Sequence, residues 1–151
     1  MPNLVVDFDT LLTLSGKDLG TTDYRQITQE QINQFADATD DQQWIHTDPE
    51  RAKDGPFGAP IAHGFLTLSL IIPFWGELFD VDGVTTKVNY GLDKVRFTSP
   101  VKVGSKVRMQ ATIADVTEVK GGAQIKVNAT IEIEGQERPA VVAEFLARFY
   151  K

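Results

Sequence analysis

Apolar and polar positions along this chain follow two different periods, one after the other. In the first part, Ile32, Phe35 and Ala36 stand at i, i+3, i+4 spacing, which predicts an amphipathic helix ending near Thr39. Thr28 and Gln31 stand at capping-box spacing before it, with Ile27 and Ile32 at the hydrophobic-staple positions. Leu11 to Leu14 reads as a short helix or a loop. Asp48, Pro49 and Glu50 read as an N-cap, a proline at the first helical position and a first-turn acid. Gly55-Pro56-Phe57-Gly58 reads as a loop. From about Gly64 to Phe79 the chain is apolar on nearly every face, so a helix there has to be buried on most sides. Pro73 is expected to kink it or to end its regular part. His63, Thr67, Ser69, Pro73 and Glu77 interrupt the apolar runs between Ile61 and Phe79, which stay far below the ~20 residues of a membrane span.

The second part alternates with period two. Val107, Met109, Ala111 and Ile113 share one phase, as do Ile125 to Ile133 and Val141 to Phe149 taken at every second residue, with Gly121-Gly122 and Gly135 supplying turns. A further strand over Val84 to Phe97 changes phase at Gly91-Leu92-Asp93, which predicts a β-bulge beside Gly91. Helices first, then one very apolar helix, then four long antiparallel strands give an α+β class, with an antiparallel β-sheet wrapped around a long central helix.

Composition narrows the chemistry. At 151 residues the chain fits one domain, 1–151. It has no cysteine, which removes disulfides and thiolate chemistry, and only two histidines, too few for a three-histidine metal site within one chain. The formal net charge of −6 carries no global footprint for nucleic acid. Residues 1–6 lack the basic and apolar regions of a secretory signal, so a soluble, cytoplasmic protein is expected, binding neither nucleic acid nor membrane. The charge is uneven. Residues 1–54 hold 11 acids against 4 bases, whereas residues 87–108 hold Lys87, Lys94, Arg96, Lys102, Lys106 and Arg108 against Asp93 alone. That basic stretch could meet a phosphate-bearing ligand or be the solvated face of a sheet. No P-loop, no G-x-G-x-x-G after a strand and no G-x-S-x-G elbow is present.

Two places carry candidate chemistry. Asp41, His46 and Asp48 lie close together between helix candidates. A carboxyl–imidazole pair can hold a water molecule and pass protons in two directions, although loop acids are also commonly just solvated. His63 precedes Gly64 at the start of the apolar helix, where a side-chain-free N–H could meet a substrate carbonyl, or where glycine could serve backbone conformation alone.

Three segments resemble one family. Ala36 to Ala52, containing Asp41-Gln42-Gln43-Trp44-Ile45-His46-Thr47-Asp48, resembles the signature G-D-x-N-P-I-H-x-D of MaoC-like dehydratases and R-specific enoyl-CoA hydratases. Ile61-Ala62-His63-Gly64-Phe65-Leu66 resembles their I-A-H-G-[MF]-L, and Lys94 to Val101 their R-F-x-x-P-V strand. The variant D-Q-x-W-I-H is similar to the branch grouped with nodulation protein N. The resemblance implies a hotdog fold and a homodimer with a sheet continuous across the interface. It implies hydration of trans-2-enoyl thioesters to R-3-hydroxyacyl thioesters, or the reverse, with no metal or redox cofactor and with coenzyme A or an acyl carrier thioester as substrate. By position it makes Asp41 and His46 the catalytic pair and Gly64 the oxyanion donor, with Gln43, His63, Asn89 and Tyr90 as substrate-side residues. Departures are Asp40 for the usual glycine, Gln43 for asparagine and Trp44 for proline, the last requiring packing to stiffen the loop. Other readings for such a chain are a hotdog acyl-CoA thioesterase and a non-catalytic acyl-thioester-binding subunit.

Overall fold

A computed structural model describes residues 2–151. The four long strands are β5 (Thr86–Phe97), β6 (Lys106–Val119), β7 (Gly122–Ile133) and β8 (Val141–Tyr150). They pair antiparallel in the order β6-β7-β8-β5. Alternation decides which face is buried: Met109, Ile113, Ile125, Ile131 and Phe149 are fully enclosed, while Arg108, Glu132 and Arg148 lie on the other face. Gly121, at φ +82°, closes the turn between β6 and β7, a conformation that favours glycine. The phase change in β5 is a register irregularity on each side of Gly91–Leu92, at Asn89/Gly91 and at Leu92/Lys94. The sequence pattern placed one bulge there.

The buried face of the sheet curves around the apolar helix. That helix comes in two pieces, α5 (Gly64–Ser69) and α6 (Ile71–Leu78), joined at Leu70. Pro73 has no N–H for the Ser69 carbonyl, so the regular ladder cannot run through this point. Leu70 N–H instead donates to Thr67 three residues back, at 3.2 Å. Leu66, Leu70, Phe74 and Leu78, spaced by four, enter one continuous core with the sheet. This is the hotdog architecture.

The short elements complete it. The N-terminal β1 (Leu4–Val6) lies parallel to β4 (Phe79–Val81), which follows α6, and α1 spans Phe8–Leu11. The two strands β2 (Asp18–Thr21) and β3 (Arg25–Gln26) both pair with the free side of β6. The apolar pattern does not predict these four strands: β2 and β3 bury little, and β1 and β4 have three residues each, too few for a period of two to stand out. Helix α2 (Gln29–Thr39) begins as expected: Thr28 Oγ1 accepts from Gln31 N–H at 3.1 Å, and Ile27 and Ile32 are both fully buried. Among the described residues, no helix is long and apolar enough to cross a membrane.

Candidate active site

The site begins where α2 stops. Asp40 caps its C-terminus in the left-handed region, at φ 65° and ψ 25°, and it is the one non-glycine residue with positive φ among the described residues. Glycine reaches this region without steric cost, which is a physical reason for a glycine at the corresponding family position. Relief of left-handed strain, about 1–2 kcal/mol, outweighs the cost of about 0.4–1 kcal/mol that glycine carries through the unfolded chain, so Asp40→Gly is expected to stabilise by about 0.5–1 kcal/mol, raising Tm by about 1–4 °C. A thermal melt checks this.

The reversal at Asp40 turns the chain into Asp41 and then into α3 (Trp44–Thr47) and α4 (Pro49–Lys53). Gln43 is the N-cap of α3, and its carbonyl accepts from His46 N–H at 3.0 Å. Asp48 Oδ1 caps α4 by accepting from Arg51 N–H at 3.1 Å, the role its spacing predicted. Trp44 is held by packing: the Arg51 guanidinium lies 4.3 Å from its ring centroid, and Gly55 sits so close that a Cβ there would approach the indole to 2.8 Å. This supplies the stiffness that proline supplies in the family pattern.

His46 is tied down at several points. Its Nδ1 lies 2.7 Å from the Ile61 carbonyl. A carbonyl only accepts, so Nδ1 carries the proton and Nε2 keeps a bare lone pair. In return Ile61 N–H donates to the Ile45 carbonyl at 3.0 Å. Gln29 Nε2 donates to the His46 carbonyl at 2.8 Å from the first turn of α2. Sequence reasoning missed Gln29 and the Ile61 carbonyl; neither side-chain type nor spacing marks a residue that acts through main-chain contacts across 15 or more positions.

His63 lies against His46. The two ring centroids are 3.9 Å apart with 22° between planes, a stacked pair, and both side chains are nearly inaccessible, 6 % and 2 % exposed. His63 Nε2 is 3.0 Å from the Asp41 main-chain carbonyl and donates to it. Phe35 of α2 also packs on His63, at 4.8 Å between centroids. One ligand-type atom from each of Asp41, His46 and His63 lies within 4.8 Å of the others. Nearly parallel rings, however, hold their lone pairs side by side, whereas two imidazoles on one zinc must converge on it at 2.0–2.1 Å. The arrangement suits proton transfer better than chelation.

Burial holds the His46 imidazole below the ordinary histidine value of about 6.5. His63 acts in the same direction, against the Ile61 carbonyl and the Asp41 charge, which favour the protonated form. His46 is thus neutral at pH 7, with Nε2 ready to accept a proton. The folded value lies below the unfolded one, so as pH falls below about 6.5 the unfolded chain takes up this proton first. Stability from His46 is present above about pH 6.5 and is lost below it. The drop in the urea midpoint between pH 7 and pH 5.5 is expected to be smaller in His46→Ala than in wild type.

Gly64 follows His63 as the first residue of α5, so its N–H has no partner within its own helix. Its φ is not in the left-handed region. What requires glycine here is Phe97 of β5: a Cβ on Gly64 would lie 2.9 Å from that ring. A cavity of about 270 Å³ opens at this point, lined by Gly64, Thr67, Phe97, Ser99, Pro100 and Val101 among others.

The remaining expected residues fall elsewhere. Asn89 lines an apolar groove with Ile72 and Phe145 between the central helix and β5. Tyr90, expected beside it, is turned the other way. It is 53 % exposed and stacks on Arg148, 3.6 Å from its ring centroid, on the outer face of the sheet. Alternation causes this: Asn89 pairs with buried Ala147 and faces the core, so the next residue returns to the face of Val88 and Arg148. The basic stretch is also partly neutralised, Lys87 by Asp80 and Arg108 by Glu132.

Fold and site together define a hotdog domain with an acid, a neutral imidazole and an unpaired N–H gathered at the start of its central helix. Residues 11–136 match the MaoC-like domain, and the chain belongs to that family. It is 49 % identical over 140 residues to 3-hydroxyacyl-thioester dehydratase Z of Mycobacterium tuberculosis, covering 92 % of this chain and 93 % of that protein. It is 39 % identical over 150 residues to Nodulation protein N of Rhizobium meliloti, covering 94 % and 90 %. Its structure is similar to that of an (R)-hydratase from A. caviae involved in PHA biosynthesis, with TM-score 0.70, 25 % identity and coverage of 88 % and 94 %.

Proposed function

We propose that this protein is an R-specific enoyl-thioester hydratase, equally a 3-hydroxyacyl-thioester dehydratase, working through Asp41 and His46. The observation that carries the reading is the His46 tautomer: Nδ1–H is spent on the Ile61 carbonyl, leaving a bare, neutral Nε2 on a ring that has one nitrogen within 4.8 Å of an Asp41 carboxylate oxygen. In hydration, a water held between these two acceptors gives up a proton to the pair as its oxygen bonds to C3 of the enoyl group. The C2–C3 π electrons move toward the thioester oxygen, and the enolate is met by the Gly64 N–H. The pair then returns a proton to C2, so that one water is added in total. Dehydration runs the same steps backwards. The chemistry calls on no metal or redox cofactor.

The thioesterase reading asks for a carboxylate on the central helix. The one acid between Gly64 and Leu78 is Glu77, at the far end of α6, where it pairs with Arg25 at 3.3 Å. The test uses crotonyl-CoA and longer enoyl-CoAs, following enoyl absorbance and free thiol together. Loss of absorbance without thiol release is expected; thiol release supports the thioesterase, and no change at any chain length supports a non-catalytic subunit. The acid limb of kcat/KM is expected below pH 6.5, because the base is active only when unprotonated and burial lowers its value.

The proposed working form is a homodimer in the cytoplasm. Among the described residues β5 pairs only with β8, and its open edge is flanked by exposed Val88, Leu92 and Phe97, with Phe65 stacked edge-on against Phe97. An apolar strand edge of this length is a template for pairing with another chain. Coenzyme A or an acyl carrier is the proposed bearer of the acyl group, with Lys102 as a phosphate contact. It pairs with Ile61 beside the Gly64 cavity and belongs to no ion pair among the described residues.

A further inference from the structure

We propose that His63 is a positioning residue for the reaction: its Nε2–H holds the main chain of Asp41 while its ring backs the His46 imidazole, so one side chain sets the acid and the base relative to each other. The inference rests on the Asp41–His46 reading above.

Three observations carry it. His63 touches both partners, through a 3.0 Å hydrogen bond to the Asp41 carbonyl and a stack on His46 at 3.9 Å. It also packs against Phe35 and is 2 % exposed, so its ring is enclosed where it meets both. Finally, its Nδ1 is buried with no hydrogen-bond partner. An orphaned buried acceptor is unfavourable, and a side chain there only to fill space would be apolar. One present only to donate to the carbonyl could be an amide. A flat ring and an N–H donor are needed together, and histidine supplies both at the cost of the orphan.

The pairing also contributes, after burial, to keeping His46 neutral. The titratable groups facing His46 are His63, from the segment before α5, and Asp41, from the loop after α2; α2 itself meets it with the uncharged Gln29. Two imidazoles in stacking contact disfavour a proton on either. Removing His63 therefore leaves His46 easier to protonate.

Two substitutions separate the functions. His63→Gln keeps an N–H donor and removes the ring. His63→Phe keeps the ring and removes the donor. Each is assayed for hydration of crotonyl-CoA across pH 5–9, on protein that elutes and melts as a folded species, beside wild type and Asp41→Asn. Both are expected to lose tenfold or more in kcat with less than threefold change in KM, and to move the acid limb of kcat/KM to higher pH. If either folded variant keeps wild-type kcat, or if kcat falls with the acid limb unmoved in both, the positioning role is wrong. The control tells the two failures apart. An inactive wild type, or an active Asp41→Asn, overturns the hydratase reading itself; an active wild type and inactive Asp41→Asn beside wild-type-like His63 variants overturns only this inference.

Discussion

Asp41→Asn and His46→Ala are each expected to lower kcat for enoyl-thioester hydration by about 10²–10⁴-fold, the usual contribution of a positioned general acid–base group. Asp41→Asn is the cleaner of the two. Asp41 is exposed, so the amide fits without disturbing packing, yet it replaces a charged acceptor by a group that donates from one side and cannot take a proton. His46→Ala removes the bare Nε2 and also strands the Ile61 carbonyl, a buried acceptor whose loss of a donor costs about 1–3 kcal/mol in stability. Its activity is therefore compared after the fraction folded has been measured. Because the two side chains handle the same water, the double variant is expected to be little worse than the weaker single one.

The second large effect is expected at Gly64. The proposed donor is a main-chain N–H, which only proline removes. Position 64 is the first residue of α5, where proline is well tolerated, and His63 before it already has φ −59° and ψ 139°, the extended conformation that a following proline requires. The obstacle is Phe97, which any Cβ would approach to 2.9 Å. That ring is 48 % exposed, so Phe97→Ala clears the space without opening the core. In that background Gly64→Pro is expected to cut kcat by about 10²–10³-fold relative to Phe97→Ala alone, the range for one oxyanion donor, with Gly64→Ala far less damaging. Steady-state kinetics on the three proteins check it. Equal losses from Pro and Ala would mean that space, and not the N–H, is what matters at this position.

The parts of the fold that were legible in the sequence are those whose side chains answer to a period. The staple Ile27–Ile32 and the strands around Met109, Ile131 and Ala143 follow directly from which residues must leave water. The break at Leu70 follows from the missing N–H of Pro73. The short strands β1 to β4 are not legible: Asp18-Leu19-Gly20-Thr21 and Arg25-Gln26 pair through main chain on an edge and bury little, and β1 and β4 are only three residues long.

The site divides in the same way. Asp41, His46, His63 and Gly64 stood out as scarce or chemically apt residues in motif context. Their mutual arrangement did not, because it depends on main-chain carbonyls of Asp41 and Ile61 that any residue could supply. Gly64 was read as a residue chosen for backbone freedom or for substrate approach, and the contact with Phe97, 33 positions away, was invisible. Tyr90 differs in kind: it follows Asn89 directly in β5, so the pleat puts the two on opposite faces and only Asn89 turns to the apolar groove.

The most direct test of the account is the fate of the water. A trans-2-enoyl-CoA is incubated with the wild-type protein in H₂¹⁸O and the products are separated by chirality and mass. Addition by the Asp41–His46 pair puts one ¹⁸O on C3, in the R-3-hydroxyacyl thioester, with the thioester intact. Label in a released carboxylate, or an S or racemic hydroxyl, would contradict it.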